Sequence, residues 1–350
     1  MIYQKKKNRI SLYLPFLFCF FLWQPGFSII QLPSDMHELA MASLNSVYND
    51  QFKQALGYSR RIIKLYPDHP AGYFFYAAIL NSQMEYLQSN ESEAEFYKYC
   101  DIAILKGEDL LEKDPGNIWA KFFLAGAHGS KGTFESRFQR WITAFKHGWR
   151  AVVILNEIVE KDPEIVDALL GIATYDYWRS AKTKLLWWLP GVEDKREQSI
   201  ATLFNLQTTG VYVKESAFFN LIDMLVNENR YPEALQVAEK ILSQYPANLT
   251  LYWKKANILS ALKRPADAER AYTYIQKRIA SESFTSSYNA ALCHYSLLKV
   301  YFDLKKHENF NREFNSMQSL DISPEDKKRL EKCFQDALSM KRSLEKSSSH

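Results

Sequence analysis

An all-α solenoid of antiparallel helix pairs is the fold class this chain predicts, and three regularities predict it. Apolar-periodic runs end again and again in proline: IIKLYPDHP, LLEKDPGN, IVEKDPEI and ILSQYPAN, at Pro67, Pro115, Pro163 and Pro246. An alanine stands twelve residues before each proline, at Ala55, Ala103, Ala151 and Ala234, and Ala268 follows 34 after Ala234. A third position, near the middle of the other helix of each unit, is small in five of six copies: Ser43, Ala77, Ala125, Ala173, Ile222 and Ala256. A small side chain repeated on one helical face lets neighbouring helices approach, and proline just past a helix stops it. A helix pair cannot bury its apolar stripe alone, so stacked pairs share one continuous core.

The elements follow in order. Pair one covers about 34–66, with NDQFKQALGYSRRIIKLY as its second helix. Pair two covers about 70–114, and its helices lengthen or join at EYLQSNESEAEFY. Pair three covers about 118–162 and holds GAHGSKGTFESRF, read as a Gly-rich corner between helices. Pair four covers about 165–211 and contains SAKTKLLWWLPGVEDKREQ. Pairs five and six run about 215–245 and 249–280. A seventh first helix begins in TSSYNAALCHYSLLKVYFDLKKH, and its second covers about 308–319. The last helix, about 324–345, starts at Ser323–Pro324–Glu325–Asp326, where a cap, an N1 proline and acids suit the positive helix end. It covers the final repeat, and the tail SLEKSSSH is expected to fray.

The repeats are not equal. The first three prolines lie 48 apart, the next unit takes 49 with Tyr212 in the proline slot, and the one after takes 34. Regular repeats therefore span 34–67 and 215–282, longer irregular ones 70–211, and the terminal pair with its cap 286–345. The 14 or 15 extra residues either lengthen the helices, about 10 Å for seven residues each, or build loops on one edge that serve as a binding surface.

The first 28 residues are an address rather than part of the fold. Lys5, Lys6, Lys7 and Arg9 precede the apolar run Leu12–Trp23, and Pro25, Gly26 and Ser28 follow it. That order matches a signal peptide, leaving 29–350 as one helical-repeat domain. An uncleaved anchor reaching Ile30 is the other reading. Both place the body outside the cytoplasm, in the periplasm or envelope, and no later segment is apolar enough to span a bilayer. Of 44 basic residues only those four precede Ile29, so the rest balance the 40 acids. A neutral body argues against nucleic-acid partners. Cys100, Cys293 and Cys333 form no framework: one bridge and a free thiol, or three buried thiols.

Candidate chemistry is sparse. GAHGSKGT at 126–133 has Lys131, Gly132 and Thr133 in the wrong order for a phosphate loop, and a helix rather than a strand precedes it. The histidines, among them His128, show no metal-ligand spacing, and Cys293 and His294 are adjacent and diverge on a helix. Glu157 with Glu160, and Glu164 with Asp167, flank a helix turn, where acids cap. No cofactor motif or metal set is present, and the chain reads as a non-enzyme.

The pattern of a small residue at position 8, Ala at 20 and Pro at 32 of a 34-residue frame resembles the tetratricopeptide repeat family. ESAFFNLIDMLVNENRYPEALQVAEKILSQYPAN and the following LTLYWKKANILSALKRPADAERAYTYIQK are the best copies. Within the family the chain looks closest to exported bacterial envelope proteins. Ile222, Tyr212 and the insertions depart from the pattern. The resemblance implies a right-handed superhelix whose groove, lined by first helices, holds a partner.

That places the expected binding surface at Trp119, Phe122, Leu170, Tyr177 and Trp178, continued by Phe219 and Trp253. Trp141, Trp149, Trp187 and Trp188 add to the aromatic group, with Arg179, Lys182 and Lys184 interleaved. Either these side chains fill the space between lengthened helices, or they line a groove for a peptide, glycan or apolar ligand. Three functions stand: an envelope scaffold holding a protein or peptide, a solute-binding accessory to envelope transport that takes a small apolar ligand, and an enzyme with a site on the central insertions. If Tyr177 and Trp253 bind, they should be partly exposed.

Overall fold

The computed structural model describes residues 32–182, 193–281 and 286–348. Among them are fifteen helices and no strand. The first pair is α1 (Ser34–Tyr48) and α2 (Phe52–Leu65), followed by α3 (Pro70–Leu87) with α4 (Glu93–Lys113) and α5 (Ile118–Arg137) with α6 (Trp141–Lys161). Then come α7 (Ala168–Lys182) with α8 (Arg196–Thr209), α9 (Lys214–Asn227) with α10 (Tyr231–Gln244), and α11 (Leu249–Ala261) with α12 (Pro265–Ser281). The last pair is α13 (Ser287–Asp303) and α14 (His307–Gln318), and α15 (Pro324–Ser348) packs against α13. It continues three residues past the expected 345, into the tail expected to fray.

Each helix starts and stops for a local reason. His69, Asn117, Asn248 and Ser286 accept a backbone N–H at the start of α3, α5, α11 and α13. The two helices of a pair are joined through a left-handed residue at Asp50, Gln88, Gln139, Asn229, Lys263 and Lys305, all with φ between 52° and 60°. That conformation ends a helix by turning the next amide back onto its last carbonyls. Such a residue is seen in every pair but the fourth, whose linker lies partly outside the described residues.

The repeated small positions are where helices touch. Ala55, Ala103, Ala151, Ala234 and Ala268 are buried, as are Ser43, Ala77, Ala125, Ala173 and Ala256. Ile200 takes the alanine place in the fourth pair and is buried as well. The proline missing at Tyr212 has a substitute. Buried Asp167, just before α7, accepts the amides of Val211, Tyr212 and Val213 at 2.8–3.1 Å and so fixes the turn into α9. Burial raises its carboxyl, and those three N–H donors pull the other way.

In pairs two and three the extra residues are helix: α3 to α6 have 18, 21, 20 and 21 residues, against 13 in α11. In pair four α7 and α8 have 15 and 14 residues, and residues 183–192 between them lie outside the described residues. One expectation is corrected: the glycine run 126–133 is no corner, because it lies inside α5. Its glycines admit neighbours: a Cβ on Gly126 would meet the Phe74 ring at 2.7 Å, and one on Gly132 the Ala144 carbonyl at 3.1 Å and the Gly148 amide at 3.2 Å. Gly129, between them, has only Ala151 at 4.0 Å.

Two glycines three residues apart should therefore respond with opposite sign. Gly129→Ala should stabilise by up to about 1 kcal/mol, because the position is helical and open. Gly132→Val should destabilise by about 1–3 kcal/mol, because backbone atoms cannot rotate away. Urea unfolding of both variants checks this; a loss at Gly129 would mean a turn there.

Candidate functional site

The first helices α5, α7, α9 and α11 carry the expected groove residues, and α1 and the end of α3 already meet part of that face. At its end, α1 lays Tyr48 against Phe219 and Tyr245, with ring centroids 5.8 and 5.4 Å apart, and the Tyr48 hydroxyl meets Ser216 Oγ at 2.9 Å. Nearer its start, His37 Nδ1 meets the Tyr212 hydroxyl at 2.6 Å.

The helix ends complete the seam. Asn248 Nδ2 donates to the Tyr48 carbonyl at 3.0 Å while its Oδ1 caps α11, and the Leu249 amide donates to Asp50 Oδ2 at 2.9 Å. Arg278 stands 3.8 Å from the same carboxylate. The C-terminal carbonyls of α3 are met in the same way. Ser286 Oγ donates to Leu87 O at 2.7 Å, Asn289 Nδ2 to Tyr86 O at 2.8 Å and Arg329 to Gln88 O at 3.1 Å. Groups that a helix end leaves without a partner here find one about 200 residues away in sequence.

The seven predicted residues divide accordingly. Trp119 and Phe122 are buried, Trp119 edge-on to Phe122 and to Tyr212. Tyr177 has 0% exposure: its hydroxyl donates to the Met224 carbonyl or Glu228 and accepts from Asn227, all within 2.9 Å. Arg196 holds Glu228 from the other side at 2.8 Å. The expected exposure of Tyr177 is thus corrected; it ties α7 to the end of α9, and burial raises its phenol. Leu170, Trp178, Phe219 and Trp253 remain half-buried at the edge of the core. Trp253 Nε1 and Thr174 Oγ1, on α11 and α7, are buried without a hydrogen-bond partner. Trp187, Trp188 and Lys184 lie outside the described residues. Trp141 and Trp149 are not groove residues: they stand on α6, the second helix of its pair, at 37% and 57% exposure.

A face built from first helices with a small residue at each crossing, backed by second helices with a buried alanine, decides the fold. The chain has a tetratricopeptide-type repeat fold. No protein-family model matches it, and no curated protein does. Solved structures similar to it include a tetratricopeptide repeat protein from Parabacteroides merdae, at 14% identity over 87% of this chain and 100% of that one, TM-score 0.38. A thermophilic repeat protein of Thermus thermophilus matches at 17% identity over 64% of this chain and 98% of its own, TM-score 0.40. A Rap protein complexed with Competence and Sporulation Factor matches at 14%, over 81% of this chain and 76% of its own, TM-score 0.48.

Titratable groups inside the repeats are tuned away from neutrality. Burial pushes the Cys100 thiol up to about 12 and that of Cys293 higher still. Cys100, Cys293 and Cys333 are all free thiols. On the long helices of pair three, His128 Nδ1 faces His147 Nδ1 at 3.3 Å, with the rings stacked. Burial first, then His147, Arg150 and Lys131, hold His128 down at about 4, and burial alone holds His69 there. Among the described residues no three His, Cys, Asp or Glu converge as a metal set.

This arrangement sets a pH dependence. A histidine depressed in the folded state binds its proton more readily unfolded. Its contribution is full above about 6.5 and is lost as the pH falls toward 4. Thermal unfolding should show the melting temperature falling across that window, and His128→Gln should fall less steeply than the native chain. Parallel curves for the two would contradict the assignment.

Proposed function

We propose that the protein is a non-enzymatic binding scaffold of the cell envelope. It holds a protein or peptide partner on the part of the inner face that α1 and α3 leave open, at Leu170, Trp178 and Trp253, with Phe219 at its edge beside Tyr48. The observation that carries this reading is the state of Trp253. It stands half-buried on a first helix at the edge of the core, and its indole N–H, itself buried, has no hydrogen-bond partner. Thr174 Oγ1 repeats the condition on α7. The half-exposed rings of Trp178 and Trp253 offer apolar surface that suits the side chains of an extended peptide, and aromatic side chains dominate binding energy at such surfaces.

Two features support a binder over a catalyst. The thiols are raised and two histidines lowered, away from the range in which they exchange protons at neutral pH. Helix pairs two and three use their extra residues for helix rather than for loops that could carry a site. The envelope location is drawn from the basic, then apolar order of residues 1–28.

Site-specific photo-crosslinking in the native cell tests the proposal. A benzophenone side chain at Trp253 or Trp178 should give one discrete adduct, and the same group at exposed Leu338 none. Adduct formation only at Leu338, or equally at all three, would place the binding surface elsewhere.

A further inference from the structure

Among the described residues, the outer face of α6 carries an apolar stripe that no helix packs over. Trp141, Ile142, Phe145, Trp149 and Val153 follow helical spacing, and Ile142 is 89% exposed. Tyr175 of α7 continues the stripe, its ring 6.2 Å from Phe145 and 6.4 Å from Trp149. Cations stand on both sides. On α6, Lys146 and Arg150 flank it one step round the helix. On α7, Lys182 lies over the Trp141 ring at 4.1 Å, and Arg179 over Tyr175 at 6.0 Å. Residues 141–156 contain no acid. The nearby acids are paired with cations: Glu108 lies 3.3 Å from Arg150, Asp176 lies 3.4 Å from Arg179 and also meets Lys195, Glu135 and Glu93 meet Arg140 at the start of α6, and Asp101 meets Lys131.

We infer that this face seats the protein on an anionic lipid bilayer, with α6 lying parallel to the surface. Trp and Phe rings between rows of Lys and Arg are the composition of a helix held at a headgroup boundary: the rings enter the apolar edge and the cations meet lipid phosphates. The charge arrangement separates this occupant from a second copy of the chain. Two-fold pairing would lay each stripe on its own image and bring cation rows together without matching acids. The inference is independent of the inner-face reading, because α6 is on the opposite side of its pair from the first-helix surface.

A probe at Ile142 tests it in the full chain. The apolar run at residues 12–23 can enter vesicles by itself, so co-sedimentation would not discriminate, whereas a local probe does. Ile142→Cys, in a chain with Cys19→Ser and Cys333→Ser, is labelled with an environment-sensitive nitrobenzoxadiazole; Cys100 and Cys293 are buried. With phosphatidylcholine vesicles containing phosphatidylglycerol, the emission should rise and shift to the blue. A Leu338→Cys label should not respond, and pure phosphatidylcholine should give little at either site. Lys146→Gln with Arg150→Gln should weaken the Ile142 response, as expected for a loss of about thirtyfold in surface affinity. No response at residue 142, an equal response at 338, or a response indifferent to anionic lipid or to the two cations would overturn the inference. So would a blue shift that grows with protein concentration in the absence of vesicles, which would mean self-association.

Discussion

The hydrogen-bonded seam between the ends of α1 and α3 and the starts of α11 and α13 is the constraint on which the rest of the structure depends. An ordinary solenoid is held by contacts between neighbours alone. Here the Tyr48, Tyr86 and Leu87 carbonyls, and the Leu249 amide, are satisfied by partners about 200 residues away. Each is a helix-end group that would otherwise need water or a local cap. Opening the seam would exchange each of these hydrogen bonds for water, which costs about 0.5–1.5 kcal/mol for each. The seam also narrows the first-helix face, because Tyr48 and His37 of α1 lie against Phe219, Tyr245 and Tyr212.

The fold was legible because its signals are local. A small residue at five of six crossings, an alanine twelve before each proline and a capping serine before Pro324 each act within one or two turns, and it is their repetition in register that makes the pattern readable. The errors arose where one residue type has two uses. Gly126, Gly129 and Gly132 have the composition of a turn, yet Gly126 and Gly132 are demanded by close approach inside α5. Tyr212 looked like a broken repeat, and Asp167, 45 residues earlier, replaces the missing proline.

The site was less legible, for the same physical reason. Asp50 turns the chain and Asn248 and Ser286 cap helices locally, and nothing in their sequence neighbourhood shows that Asn248 also donates to Tyr48, or Ser286 to Leu87. Tyr177 and Trp119 have the spacing of groove residues, yet Tyr177 is fixed by the end of α9 and Trp119 by Phe122 and Tyr212, and Leu170, Trp178, Phe219 and Trp253 are the remainder. The α6 stripe was visible as aromatic content but not as a surface, because whether Trp149 faces in or out depends on which helix of the pair is outermost.

The distance between the two sides of the seam tests closure most directly. Nitroxide labels at Gln51 and Gln244, one and four residues from the Asp50–Asn248 contact, should give a single pulsed-dipolar distance of about 25 Å or less in the native chain, given residue steps of at most about 3.6 Å. Asp50→Ala with Asn248→Ala should broaden it. A native distance beyond about 40 Å, as expected for ends separated by four intervening helix pairs stacked at about 10 Å each, would show an open solenoid and contradict the account.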